Sequence, residues 1–247
     1  MPPPSFNPPA VIGHRGAAGL APENTIAAIR AAAAAGARWV ELDIALTRDG
    51  VPVLLHDARL ERTTDGEGAI ADRDWCDLAQ LDAGAWFAPR FLGQRVPSLA
   101  EAIDELGRCG LGANLEIKAE PGRAEATAQA VVATLRRHWP RQLPPPLVSS
   151  FDRLALAALR KADPELLLGY LAEGLEEGWQ ERASALGCAS LHLAHAKLAP
   201  EFFAAARESG LLLLLYTVND PEEARRVHGA GAAAIFTDRP DRVAIAA

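Results

Sequence analysis

Eight short apolar runs, alternating with alanine-rich helical stretches, constrain this chain more than any other feature. Such alternation builds a parallel sheet with helices outside it. The runs end near Arg15, Asp43, Lys118, Phe151, Leu171, Ala194, Thr217 and Thr237. Eight strands are what a closed (β/α)8 TIM barrel of the α/β class requires, and the chain's 247 residues match the roughly 250 such a barrel uses. No linker divides the middle of the chain, so residues 1–247 read as one barrel domain. Helices are predicted over 24–35, 98–106, 120–138, 152–162, 175–186, 200–209 and 221–228. Ser98, Asp152 and Asp220 suit helix N-caps, Pro200 and Pro221 suit first turns, and Gly36, Gly187, Gly210 and Gly229 suit helix ends.

One segment breaks the rhythm. Thr47-Arg48-Asp49-Gly50 leaves too few residues for a parallel crossover, so residues 52–57 must return as the second arm of a hairpin. Taking Asp49-Gly50 as the turn pair sets Asp43 opposite His56. The return strand should lie over the barrel mouth, with a free edge that tolerates Pro52. Residues 58–96, after the second barrel strand, are too long for an ordinary loop and read as a small insertion covering part of the active face.

The strand ends carry the chemistry. Glu41 and Asp43 are two apart on a strand, so both carboxylates face one way. Glu116 and Lys118 repeat that spacing on the next barrel strand, one strand spacing away. Taken singly, either pair could be a salt bridge or a polar face. Together, three carboxylates favour a hard cation such as Mg²⁺ or Ca²⁺. His14 and Arg15 end the first strand ahead of Gly16. An imidazole there can move a proton near neutral pH, and a guanidinium matches a phosphate. His56 falls beside the same carboxylates. Asn24 reads as the cap of the first helix, with a ligand role open to it. His138 and His228 fall on helices and read as surface residues; His192 and His195 fall near the sixth barrel strand.

A net charge of −7 argues against nucleic acid or an anionic membrane as partner, though local cations still suit a small phosphorylated substrate. Cys76, Cys109 and Cys188 are odd in number and show no paired spacing, which suggests reduced thiols in a cytoplasmic protein. No apolar run approaches the roughly 20 residues of a membrane-spanning helix. Residues 1–5, Met-Pro-Pro-Pro-Ser, read as a flexible lead-in without the features of a leader peptide.

The stretches HRGAAGLAPENT (14–25), ELDIALTRDGVPVLLHD (41–57), LERTTDG (60–66), LEIK (115–118), SSFD (149–152), YTVND and IFTDRPD span nearly the whole chain. In that order the sequence resembles the glycerophosphodiester phosphodiesterases. The resemblance implies a barrel with its site at the C-terminal rim. It implies His14 and His56 as general acid and base, and Glu41, Asp43 and Glu116 as ligands of one divalent cation, Mg²⁺ or Ca²⁺. Arg15 and Lys118 would hold the phosphate. Tyr216 stands where the family commonly has Trp, which keeps an aromatic wall for substrate but shrinks it. The implied reaction is hydrolysis of a glycerophosphodiester to sn-glycerol 3-phosphate and an alcohol, with water or the glycerol 2-hydroxyl as attacker. Two other readings stand beside it: a phospholipase-C/D-like enzyme acting on intact lipid, and a barrel that only binds phosphate esters. The acidic balance and the lack of an apolar or basic face weigh against the first. The full set of acids and imidazoles weighs against the second.

Overall fold

The computed structural model describes residues 7–243; the proline-rich lead-in lies outside the described residues. Its strands are β1 (Val11–Gly13), β2 (Trp39–Leu46), β3 (Pro52–Leu54), β4 (Gly112–Ile117), β5 (Leu147–Ser150), β6 (Leu167–Ala172), β7 (Ser190–Ala194), β8 (Leu212–Tyr216) and β9 (Ala234–Thr237). They run in the order β1-β9-β8-β7-β6-β5-β4-β2-β3, and a β1–β2 pairing closes the ring. All pairings are parallel except that of β3, which lies antiparallel on β2 outside the ring. The result is the eight-stranded TIM barrel that the alternating pattern predicts.

The outer helices are α1 (Ile26–Ala34), α2 (Trp75–Leu78), α3 (Leu99–Cys109), α4 (Ala124–His138), α5 (Arg153–Ala162), α6 (Trp179–Ala185), α7 (Pro200–Ser209) and α8 (Pro221–Gly229). Their starts follow local chemistry. Ser98 and Glu101 form a reciprocal capping box on α3, while Asp152 and Asp220 accept first-turn amides of α5 and α8. Three starts differ from the sequence reading. Thr25, not Asn24, caps α1, because Asn24 sits at φ 57° outside the helix. Pro121 and Gly122, at φ 78°, delay α4, and Gly178, at φ 71°, delays α6.

The main core lies between ring and helices, where Leu42, Ile44, Ile103, Leu115, Val131 and Leu156 are buried. Each such side chain contributes about 1.5–3 kcal/mol by leaving water. A second cluster, including Ile12, Trp39, Leu147, Leu167, Leu214 and Phe236, plugs the inside of the barrel. Trp39 needs Gly112 beside it, since a Cβ there would fall 2.3 Å from the indole. On the same strands the interior then turns polar: Glu41, Asn114, Ser149 and His192 are all buried.

The hairpin carries two corrections. Pairs Ile44–Leu54, Ala45–Val53 and Leu46–Pro52 put Leu55, not His56, next in register with Asp43. The loop holds three residues, Arg48, Asp49 and Gly50, because Gly50 adopts φ 84° and Thr47 N donates to Val51 O across it. Nor is the outer edge of β3 free: Leu54 N donates to Pro97 O at 2.9 Å. The insertion meets the edge of the site at Arg62, which pairs with Glu23 and Asp57. It packs on the hairpin through its own small core, with Leu60, Ile70, Leu78, Ala83 and Val96 against Ala45, Val53 and Leu55.

Candidate active site

Register places the acids. Asp43 pairs with Glu116 across β2 and β4, and Glu41 stands two residues before Asp43 on the same face. One carboxylate oxygen from each lies within 4.8 Å of the others, with Glu41 and Asp43 buried. Asn24, held just before α1, donates to Asp43 Oδ2 at 2.8 Å and accepts from Asp43 N at 3.0 Å, which fixes that carboxylate. Burial and then the neighbouring acids push Glu41 well above the usual carboxylate range and Glu116 up to about 7. Lys118 and Arg15 hold Asp43 below its ordinary value against the effect of burial. Glu41 Oε1 is buried without a hydrogen-bond partner among the described residues. Three converging carboxylates fit a hard divalent cation.

Cations flank the acids. Lys118 Nζ lies 3.3 Å from Asp43 and in contact with Glu116, while Arg15 lies 3.3 Å from Asp43 and 2.7 Å from Glu23. Arg15 reaches this position from a left-handed backbone, φ 49°, and its amide donates to Glu41 Oε2 at 2.9 Å. Gly16 follows at φ 86°, where a Cβ would fall 2.7 Å from Ala28 of α1. With Glu23 counted, the acids outnumber Arg15 and Lys118, so a divalent ion would offset negative charge that otherwise opposes a phosphodiester anion.

Both imidazoles line the same cavity of about 280 Å³, along with Arg15, Glu41, Glu116 and Lys118. Each is oriented through Nδ1. His14 Nδ1 meets Asp238 Oδ1 at 2.7 Å, and Asn219 donates to the other oxygen of Asp238 at 2.7 Å. His56 Nδ1 meets Asp57 Oδ1 at 2.6 Å. Among the described residues neither Nε2 is hydrogen-bonded to an acid, although His14 Nε2 lies 3.9 Å from Glu41 Oε2. Burial lowers the pKa of His56, with Asp43 opposing. Hydrogen bonding from Arg62 and His56 holds Asp57 down at about 2. His56 therefore reaches the site because the chain turns after β3, not through strand register.

Arg62 also donates to Glu23, so Arg15, Glu23, Arg62, Asp57 and His56 form a continuous chain of ion pairs. Residues 58–96 line none of the central cavity, and Arg62 is where the insertion meets these side chains. Tyr216 forms part of the wall; its hydroxyl donates to Ala172 O at 2.9 Å and its ring meets Phe151 edge-on at 6.2 Å. His192 is fully buried on the cavity floor, while His195 bonds Tyr216 O at the rim, 3.3 Å away. Sequence reasoning missed the supporting roles of Glu23, Asp57, Arg62, Asn219 and Asp238. Asp57 and Asp238 had a signal, since each belongs to a polar strand-end cluster.

Comparison with known proteins decides the family. Residues 14–242 match the model of the glycerophosphoryl diester phosphodiesterase family. The chain belongs to the glycerophosphodiester phosphodiesterase family. Membership makes it a phosphodiesterase, a hydrolase. It is 35% identical over 236 residues to the glycerophosphodiester phosphodiesterase of Caldanaerobacter subterraneus subsp. tengcongensis, with 94% of each chain covered. A Bacillus subtilis glycerophosphodiester phosphodiesterase is 31% identical, with 93% of this chain and 83% of that protein covered. Among solved structures, an Oleispira antarctica phosphodiesterase in complex with the product sn-glycerol-3-phosphate superposes with a TM-score of 0.91 at 40% identity, covering 94% of each chain. No helix among the described residues is long and apolar enough to cross a membrane.

Proposed function

We propose that this member of the family hydrolyses glycerophosphodiesters to sn-glycerol 3-phosphate and an alcohol, using one divalent cation and the His14/His56 pair. The observation that carries the reading is the convergence of three acids, two cations and two acid-oriented imidazoles on one cavity. Glu41, Asp43 and Glu116 would hold Mg²⁺ or Ca²⁺, which would neutralise the phosphate and stabilise charge on its oxygens. Arg15 and Lys118 bind the remaining phosphate oxygens and keep the diester in line between the two rings.

One imidazole takes the proton of the attacking oxygen, and the other delivers a proton to the departing alcohol. If the glycerol 2-hydroxyl attacks, a cyclic phosphate forms, and the two rings exchange roles when water opens it. Asp238 and Asp57 keep the rings oriented and offset their positive charge. Tyr216 and Phe151 form a wall for the alcohol. Three free thiols support a reducing, cytoplasmic workplace.

The test is release of sn-glycerol 3-phosphate from glycerophosphocholine with Mg²⁺, with Ca²⁺ and with chelator. The expected result is metal-dependent turnover that falls by roughly a hundredfold or more in His14→Ala and in His56→Ala. Folded single variants with unchanged turnover would overturn the roles given to the imidazoles.

A further inference from the structure

Beneath the acids, the cavity ends on two side chains that the phosphate chemistry leaves unused. Asn114 lies on β4, two residues before Glu116, and His192 lies on β7; both line the cavity and both are essentially inaccessible to solvent. Each is anchored at one end. Asn114 Nδ2 donates to Ser149 Oγ at 3.1 Å, and His192 Nε2 meets Ser190 Oγ at 2.9 Å. Each is unpartnered at the other end among the described residues, at Asn114 Oδ1 and His192 Nδ1. Gly169 makes room for the ring, since a Cβ there would fall 2.7 Å from His192 Nε2. A buried polar atom without a partner destabilises a fold unless something binds it.

We propose that Asn114 and His192 read the hydroxyls of the glyceryl group and so select diesters whose glycerol carries no acyl chain. A hydroxyl satisfies the amide oxygen as donor, and the imidazole nitrogen in either tautomer. Burial keeps that imidazole neutral, its pKa pushed down to about 3, so the floor offers uncharged partners. The glyceryl group is the constant, compact part of the substrate and suits the closed end. The variable alcohol suits the rim, where Phe151 is exposed. An esterified glycerol would present bulk without donors to the same two atoms. This inference rests on the phosphodiesterase reading above and adds the specificity of that site.

The test compares glycerophosphocholine with bis(p-nitrophenyl) phosphate, which has no glyceryl hydroxyls. His192→Gln keeps a polar atom facing Ser190 but none at the Nδ1 position, and Asn114→Leu removes the amide. Each should lower kcat/KM for glycerophosphocholine by about ten- to a hundredfold while leaving the nitrophenyl diester within about twofold. His192→Asn, which retains a polar atom at the Nδ1 position, should recover most of the loss. In the unmodified protein, propyl phosphate should inhibit nitrophenyl diester hydrolysis at least about tenfold more weakly than sn-glycerol 3-phosphate. Parallel losses on both substrates, no loss on either, or equal inhibition by the two phosphates would overturn the proposal alone. A wild-type protein inactive on both diesters would remove the phosphodiesterase reading and this inference with it.

Discussion

His192 should make the stability of this barrel depend on pH in a way one substitution removes. Its ring is fully buried and its pKa falls from 6.5 to about 3, because burial disfavours the imidazolium. The unfolded chain therefore takes up this proton where the folded chain does not, and the ring's contribution is fully present only above pH 6.5. It declines as the pH falls below that value and levels off near pH 3. At pH 5 the folded ring is still neutral, so the loss is set by the unfolded imidazole: about 2 kcal/mol relative to pH 7. His192→Asn has no titrating group at this position. Urea unfolding of both proteins at pH 7 and pH 5 should show the wild type losing about 2 kcal/mol more than the variant between the two values. The other titrating groups are common to both proteins and cancel in the comparison. Parallel pH dependence would refute the argument, since the ring would then have to accept its proton inside the folded barrel.

Other consequences are simpler. Divalent cations should raise the unfolding midpoint, by about 2.7 kcal/mol of stability at a hundredfold excess over Kd, and Glu41→Gln should abolish most of the gain in a thermal-shift assay. Because Glu116 is raised from 4.5 to about 7, its folded-state preference for the proton is lost as the pH rises through 7. Cation affinity, measured calorimetrically, should therefore strengthen between pH 5.5 and 7.5, and an unchanged affinity would count against Glu116 as a ligand. Asp238→Ala should lower turnover by roughly tenfold or more with little change in KM, because His14 loses its orienting acid. Ser98→Ala should cost about 1 kcal/mol in chemical denaturation and leave turnover unaltered, since it removes only the capping box of α3.

The barrel was legible because eight strand signals alternate with seven helical ones, broken only where the hairpin and insertion follow the second strand. The acid cluster was legible because a strand's period of two forces Glu41 and Asp43 to one face and aligns them with Glu116. Hairpin register was read one residue wrong, because whether Gly50 belongs to a two- or a three-residue loop depends on a backbone angle that composition does not specify. Asn24 was misread for a related reason: two adjacent residues could each cap α1, and the bond to Asp43 decides which one turns away. The supports of the imidazoles were the least visible. Asp238 lies 224 residues from His14, and Arg62 joins Glu23 across 39 residues, so a strand-end acid can be noticed in the sequence while the ring or acid it serves cannot.

The two imidazoles stand on unequal foundations. His14 continues a stave of the ring, whereas His56 hangs from an outboard arm whose apolar packing is largely its own. Sequence change within that appendage can accumulate without disturbing the ring's interior. The reach of one proton-handling group can therefore be retuned through the arm, while the other stays fixed to the ring.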